Sequence, residues 1–316
     1  MQEPRQITHF RRYPNYDYSL GGSIFISFHL DPRYGVFGNI TPDGQMLLSQ
    51  AGLILDETIR IEQQKHPEIK LRTYKIMPEH LHLRLTFPPG LSKPLQSIGR
   101  IVQEIKRWSK AKLERLGIHI NWQKNYHDLL CLSSNVNERV DEYIAQNPMK
   151  WALMHSPNPP MKVVEPLCSP LFTPGEWWSG VGNANLLHCE TPLLAIRLSR
   201  RLTYADISSV IPNVLNECQR RVIPLSTFIS PAERCLFDIL CGQNIPMICA
   251  VPDALKTIYR PRTEHTKLFA QNQLMLLSHY QGTNVSRHEA WDRLNYDIAR
   301  LAQASGGKAI YIKPSM

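Results

Sequence analysis

Hydrophobic and polar positions follow two different patterns along the chain, and the change falls near residue 155. Upstream, SIFISFHL (residues 23–30) is typical of a strand and MLLSQAGLILDETIRIEQQ (46–64) of a helix. In the segment LRTYKIMPEHLHLRLTF (71–87) apolar and polar residues alternate, which predicts a strand pair or one bent strand. Strands and helices in this order predict a platform of strands with helices packed on it.

Two more helices are predicted in this first part. Segment 95–117 places five apolar residues at helical spacing and directs four basic residues elsewhere; the two sets are Ile98, Ile101, Val102, Ile105 and Trp108, and Arg100, Lys106, Arg107 and Lys110. A short strand is expected in HINWQKNYH (119–127). The helix VNERVDEYIAQN (136–147) should stop at Pro148, because proline breaks helices. We therefore predict an α+β domain with an antiparallel sheet over residues 1–154.

The second part of the chain has a different composition. Residues 155–178 hold six prolines, so this segment predicts a linker rather than a helix or an inner strand. Beyond it, five short apolar segments (193–199, 222–227, 246–251, 274–280 and 308–312) alternate with three helical ones (205–220, 231–242 and 286–305). This alternation predicts a parallel sheet covered on both faces, an α/β Rossmann-like domain over residues 179–316.

Composition narrows the class of protein. No apolar run approaches the roughly 20 residues of a membrane-spanning helix, and the N-terminus lacks the apolar centre of a signal peptide, so we expect a soluble cytoplasmic protein. The seven cysteines include no C-x-x-C pair and are expected to be free thiols. The net charge of +9 suits a polyanionic partner, although charge alone is a weak indicator of nucleic-acid binding.

The candidate chemistry begins with the pair His80 and His82 in the segment HLHLRLTF. Alternate side chains of a strand leave on one face, so the two imidazoles stand in a polar row with Arg84 and Thr86. A solvated strand face would explain H-x-H alone, and a metal site needs further ligands.

One helical face can supply them, because Tyr143 and Asn147 are four residues apart. A divalent ion held by two imidazoles and the Asn147 amide would polarise a phosphate oxygen within reach of the Tyr143 hydroxyl. Two alternatives stay open: Gln146 competes with Asn147 as a ligand, and Tyr126 competes with Tyr143 as a nucleophile. His119 and His127 are expected to be structural.

These residues occur in an ordered set of motifs. H-x-H followed by a helix with Tyr and an amide resembles the HUH superfamily of single-strand DNA endonucleases. More closely, residues 21–151 resemble the REP-associated tyrosine transposases, through GGSIFISFHL, YKIMPEHLHLRLTF, IGRIVQEIKRWSKAK, NWQKNYHDLL and DEYIAQNPMKW. Glu79 departs from the Asn or Asp that is common in the M-P-x-H-x-H motif.

The resemblance implies a role for each matched position. His80, His82 and Asn147 would bind Mg²⁺ or Mn²⁺. Tyr143 would attack DNA and become linked to a 5′ phosphate, leaving a free 3′ hydroxyl. The implied partner is single-stranded or hairpin DNA, and the protein would be a monomer or a homodimer. Seven basic residues are candidates for contacts with the DNA backbone: Arg84, Arg100, Lys106, Arg107, Lys110, Lys124 and Lys150.

Residues 180–316 resemble the Rossmann-like module of DNA-processing protein A, in the group called SLOG. The matching stretches include VGNANLLHCETPLLAIRLSR and LSTFISPAERCLFDILCGQNIPMICAV. Relatives carry Gly-Ser-Arg where this chain has Leu198-Ser199-Arg200, and a glycine-rich turn where it has residues 226–230, which weakens any claim of nucleotide binding. Candidates for binding single-stranded DNA or a nucleotide are Ser199, Arg200, Ser230, Glu233, Arg293 and Asn295; a scaffold or dimerisation role is the alternative.

Three hypotheses for the whole protein follow. The first is a metal-dependent strand transferase that nicks and rejoins single-stranded DNA through Tyr143. The second is a domesticated regulator that binds hairpin DNA without cutting it. The third, a zinc hydrolase built on H-x-H, is disfavoured because the chain lacks a nearby H-E-x-x-H or cysteine ligand set.

Overall fold

The computed structural model describes residues 16–157, 159–188, 190–257, 259–279 and 286–313, with only the backbone of Tyr204 and Arg287. The N-terminal residues 1–15, from which we expected no signal peptide, lie outside this part. The chain divides into two compact units, Met1–Ala152 and Leu153–Met316. No helix in the described ranges combines the length and apolarity that crossing a bilayer requires. All six described cysteines are free.

The first unit is built on a four-stranded antiparallel sheet in the order β4-β5-β1-β6, comprising β1 (Gly22–His29), β4 (Lys70–Ile76), β5 (His80–Phe87) and β6 (His127–Cys131). A small hairpin, β2 (Gly38–Ile40) and β3 (Met46–Leu48), lies outside this sheet. The segment 71–87 is thus a strand pair, β4 and β5. The strand expected at 119–127 begins only at His127, and Trp122 forms an isolated bridge with Leu30.

Two helices cover one face of this sheet, α1 (Gln50–Lys65) and α2 (Pro94–Glu114). Ser49 caps α1 by accepting a hydrogen bond from the Gly52 amide. The apolar face of α2 packs with Leu81, Leu83 and Leu85 of β5 in one core. Trp108 departs from the predicted stripe: it is 37% exposed, with the cations of Lys65 and Arg107 against its ring.

The other face of the sheet carries the polar row of β5 and is covered by α3 (Ser134–His155). This helix continues through Pro148, so the expected stop at that residue is wrong. Proline removes only one backbone donor, and the buried side chains of Ile144, Pro148 and Ala152 continue a single packed stripe. Burial of that stripe outweighs the local preference of proline.

The second unit has a six-stranded sheet in the order β12-β8-β9-β10-β11-β7. Its strands are β7 (Ser179–Gly182), β8 (Leu193–Leu198), β9 (Ile223–Ser226), β10 (Met247–Val251), β11 (Leu274–Ser278) and β12 (Lys308–Ile312). The five predicted strands are parallel, and the unpredicted β7 pairs antiparallel at one edge. The sheet is therefore mixed rather than wholly parallel.

Four helices accompany this sheet: α4 (Tyr204–Gln219), α5 (Pro231–Gly242), α6 (Thr263–Ala270) and α7 (Arg287–Ala304). Capping boxes start α4, α5 and α7, each with Ser or Thr at the cap and an acidic residue three positions later. Of these four helices, only α6 was not predicted from the sequence. The proline-rich segment 155–178 packs into the second unit, where Met161, Leu167, Leu171 and Trp178 are buried.

Candidate active site

Strand β5 brings His80 and His82 together beneath α3. Both are buried, with 8% and 4% of their surfaces exposed, and their Nε2 atoms face each other at 3.1 Å. Each Nδ1 atom is also buried and has no hydrogen-bond partner in the described part of the chain. Buried polar atoms normally find partners, so this arrangement is costly unless a ligand satisfies it.

Burial keeps both imidazoles neutral. Loss of hydration, then the neighbouring histidine, lowers the pKa of His80 to about 2. Burial likewise lowers the pKa of His82 to about 3. Neutral imidazole is the form that binds a metal ion. Two nitrogens bound to one ion at ~2.1 Å lie roughly 3.0–3.4 Å apart, so the observed separation fits a shared ion.

Helix α3 places Tyr143 and Asn147 against the histidines of the same chain. The Tyr143 ring lies 5.5 Å from the His82 ring and 5.9 Å from that of Phe25, edge-on to both. Asn147 lies near both rings, and its side chain acts on the pKa of each. Burial raises the pKa of the Tyr143 phenol and lowers that of His82, and hydrogen bonding by Asn147 opposes both shifts. The four residues singled out in the sequence thus form one cluster.

An ion pair two residues before Tyr143 fixes α3 on the sheet beside this cluster. The Arg84 guanidinium donates through Nε and Nη2 to the two carboxylate oxygens of Asp141. Its Nη1 donates to Ser23 at 3.0 Å and to Asn137 at 3.3 Å. Arg84 is only 9% exposed and uses all three nitrogens within the protein. We therefore replace the prediction that it contacts DNA with a role in positioning α3.

Two neighbours of the cluster had no predicted role. His29 ends β1 directly opposite His80, and their rings are 4.5 Å apart. His29, Glu79 and His80 each offer a ligand atom, and the three atoms lie within 4.8 Å of one another. The signal for His29 was its place in the alternating row Ser23, Phe25, Ser27, His29. Glu79 was noted only as a departure from the family motif.

The alternative candidates for the nucleophile and the amide ligand, and the two histidines expected to be structural, lie away from the cluster or make other contacts. Tyr126 packs against the core on the α1–α2 side of the sheet. Gln146 donates to Glu142 at 2.9 Å, while its Oε1 atom is buried and finds no partner among the described residues. His119 is exposed. Burial lowers the pKa of His127, at the start of β6.

The predicted DNA-binding cations of α2 lie across the sheet from the histidines. Lys106 donates to the backbone oxygens of Gln123 and Asn125, both at 2.9 Å, and burial lowers its pKa to about 8. Lys110 donates to Asn121 at 3.0 Å. Arg100, Arg107 and Lys124 are exposed, and Lys150 is partly exposed on α3. Lys106 is thus structural, and DNA contacts by the others stay a prediction.

The second unit has a cleft of about 350 Å³ at the carboxyl end of β8. Ser199, Arg200, Ser230, Glu233 and Asn295 all line it, together with Arg197 and Arg201. Arg293 is exposed on α7 and is not among the lining residues. Five of the six residues predicted for this domain therefore share one cleft.

The Glu233 carboxylate in this cleft makes its hydrogen bonds within the protein. Its carboxylate accepts hydrogen bonds from the amides of Leu198, Ile229 and Ser230 and from the Thr227 hydroxyl. Ser230 in turn caps α5 by accepting from the Glu233 amide. Both residues are nearly fully buried. They hold the turn after β9 through these hydrogen bonds.

Comparisons with known proteins give partial similarities. No family model matches the chain. An uncharacterized protein of Haemophilus influenzae is 26% identical over 162 residues, covering 44% of this chain and 87% of that protein. The structure of a REP-associated tyrosine transposase bound to a REP hairpin matches 46% of this chain and 74% of its own, with a TM-score of 0.34 and 19% identity. The structure of DNA processing protein A from Helicobacter pylori matches 49% of this chain and 83% of its own, with a TM-score of 0.36 and 17% identity. Each similarity thus spans less than half of the chain.

Proposed function

We propose that the first unit is a metal-dependent nuclease and strand transferase for single-stranded DNA, with hairpin DNA as the expected substrate. The observation that carries this proposal is the facing pair of neutral imidazoles, His80 and His82, beneath the Tyr143 hydroxyl and the Asn147 amide. In the part of the chain that the structure describes, the Nδ1 atoms of this buried pair have no hydrogen-bond partner, which is costly unless a ligand satisfies the site.

The metal would be Mg²⁺ or Mn²⁺, held by His80, His82 and Asn147. It would supply Lewis acidity to a phosphate oxygen of the DNA. Imidazole ligands favour Mn²⁺ over Mg²⁺, which makes Mn²⁺ the better first probe. Asn147 would then have a second task, because its amide interacts with the Tyr143 phenol and would help to orient the attacking oxygen.

The reaction is a transesterification. The Tyr143 oxygen forms a bond to phosphorus and loses its proton, and the bond from phosphorus to the 3′ oxygen breaks. The departing 3′ oxygen takes up a proton, and the 5′ phosphate stays on the tyrosine. Because burial raises the pKa of Tyr143, the phenol is protonated at neutral pH and must lose its proton during attack. Rejoining is the same step reversed, with a 3′ hydroxyl as the nucleophile.

The test is a covalent adduct. Full-length protein is mixed with a labelled single strand carrying a hairpin, in Mn²⁺, and separated on a denaturing gel. We expect a labelled protein band that Tyr143→Phe abolishes and that Tyr126→Phe, the matched control, retains. An undiminished band in Tyr143→Phe discards the assignment. Tight binding with no adduct in any variant would favour the non-cleaving regulator.

For the second unit, we propose that the cleft binds the phosphates of single-stranded DNA or of a nucleotide. Arg197, Arg200 and Arg201 contribute the positive charge, and Ser199 and Asn295 contribute polar groups. Arg200→Ala should weaken binding of a labelled oligothymidylate roughly three- to tenfold and reduce its salt dependence. Arg293→Ala, the exposed control outside the cleft, should not. Equal affinities for the two variants would favour a scaffold role.

A further inference from the structure

A second group of potential ligands lies on the other side of the sheet from the histidine pair. Glu62 and His66 are one turn apart at the end of α1, and Glu104 faces them from α2. His66 Nε2 is 3.1 Å from Glu104 Oε2. One ligand atom from each residue can be chosen so that all three lie within 4.8 Å of one another. Of these atoms, the His66 and Glu104 pair already has the separation of two ligands on one ion, and the third is close enough to join them after a small side-chain movement.

The burial of Glu62 separates this group from an ordinary acidic surface. Glu62 is 1% exposed, and its Oε2 atom has no hydrogen-bond donor among the described residues. Its Oε1 atom is held by Lys65 at 2.7 Å, which leaves Oε2 for the space shared with His66 and Glu104. A buried carboxylate oxygen without a donor is costly, and a cation is one way to satisfy it.

Two carboxyl groups face each other here. Burial, and to a lesser degree the Glu104 carboxyl group, raise the pKa of Glu62, whereas the Lys65 ammonium lowers it. The same contact with Glu62 lowers the pKa of Glu104. Such a pair holds either a shared proton or a bound cation between its oxygens. The imidazole of His66, which completes the triangle, favours a metal ion because it adds a third ligand.

We propose that Glu62, His66 and Glu104 form a second metal site, which binds a divalent transition ion and links α1 to α2. One nitrogen and two carboxylate oxygens suit Zn²⁺. The side chains of His66 and Glu104 are 15% and 30% exposed, so water can reach the remaining coordination positions. This site is independent of the proposed nuclease chemistry, and its role is to brace the helix layer on the far face of the sheet.

The test counts bound Zn²⁺ by calorimetry in a full-length host that lacks the first site. The host is His80→Ala/His82→Ala, alkylated with iodoacetamide because Cys168 is exposed. We expect one Zn²⁺ per chain in the host. Adding His66→Ala should remove it, and adding His119→Ala, an exposed control, should not. Zn²⁺ at a hundredfold excess over its dissociation constant should also raise the host's Tm by about 5 °C or more.

A conservative second variant covers the case in which His66→Ala does not fold. Glu104→Gln keeps the shape of the side chain and should weaken Zn²⁺ binding at least tenfold, with an unchanged circular dichroism spectrum. The proposal is overturned if the host binds no Zn²⁺, which is the result expected for a shared proton. It is equally overturned if either variant binds as the host does. Neither result bears on the adduct test of Tyr143.

Discussion

The two units each contain a buried polar cluster, and the clusters differ in how their polar atoms are satisfied. In the first unit, His80 and His82 contact each other and leave both Nδ1 atoms without partners among the described residues. In the second unit, the Glu233 carboxylate accepts four hydrogen bonds, three of them from backbone amides. Both residue types were candidates for function in the sequence. The two clusters differ in how completely their polar atoms are hydrogen-bonded.

The difference shows what to expect of each cluster. A buried group whose bonds are complete stabilises the fold, and removing it leaves donors unpaired. A buried group with incomplete bonds costs stability and persists where a ligand or a reaction uses it. We therefore expect Glu233 to matter for folding and the histidines to matter for activity.

The largest expected effect is on cleavage. His82→Ala removes one of two imidazole ligands and should lower formation of the DNA adduct by a factor of about a thousand or more, because catalysis through a metal is worth several kcal/mol. The measurement is the rate of adduct formation in Mn²⁺. The unfolding free energy should fall by less than in Glu233→Ala, because the packing lost at His82 is partly offset by the loss of a buried group with incomplete bonds. A variant that unfolds readily yet cleaves normally would reverse the comparison.

The second prediction concerns Glu233. Glu233→Ala leaves three buried amides and a hydroxyl without their acceptor, and should lower the unfolding free energy of the second unit by about 3 kcal/mol. Chemical denaturation of the full chain measures it. Glu190→Ala, at an exposed acidic position, is the control. A loss of unfolding free energy below about 1 kcal/mol would mean that the turn after β9 does not need the hydrogen bonds to Glu233.

Sequence patterning was sufficient where each face of an element has one environment. The alternation in β5 sorted Leu81, Leu83 and Leu85 from the histidines, and the four-residue spacing in α3 put Tyr143 beside Asn147. It failed where partners come from distant positions. Nothing near Arg84 in sequence reveals Asp141, 57 positions away. The Pro148 error has the same origin, because packing along α3 outweighed a local rule.

The third prediction concerns how the stability of the fold changes as the pH falls. The pKa values of His80 and His82 in the folded protein, about 2 and 3, lie below the ordinary value of 6.5. Below pH 6.5 the unfolded chain therefore binds protons that the folded chain does not, and stability falls with falling pH by up to about 1.4 kcal/mol per pH unit for each histidine. With EDTA present, His82→Gln should lose less stability between pH 6.5 and 4.5 than the unsubstituted protein does.

The control for this experiment is His119→Gln, at an exposed position, which should follow the unsubstituted protein. Other histidines with lowered pKa values, the half-buried His29 and the buried His265 at about 4, act in the same direction in every variant. Only the difference between curves is informative. Parallel curves for His82→Gln and the unsubstituted protein would mean that His82 protonates freely when folded, and that it is not a group kept neutral for a metal.

The smallest expected effect is that of Arg84, whose hydrogen bonds are complete, on the neighbouring cluster of His80, His82, Tyr143 and Asn147. Arg84 contacts none of the proposed reacting groups, but its pair with Asp141 fixes α3 two positions before Tyr143. Arg84→Met should slow adduct formation about three- to tenfold by letting Tyr143 drift, while half-maximal Mn²⁺ stays the same because His80 and His82 are untouched. Arg139→Met, an exposed arginine on the same helix, should change neither quantity. A rise in the Mn²⁺ requirement of Arg84→Met would instead mean that Asn147, carried by the same helix, moves with Tyr143 and that ligand and nucleophile are positioned as one piece.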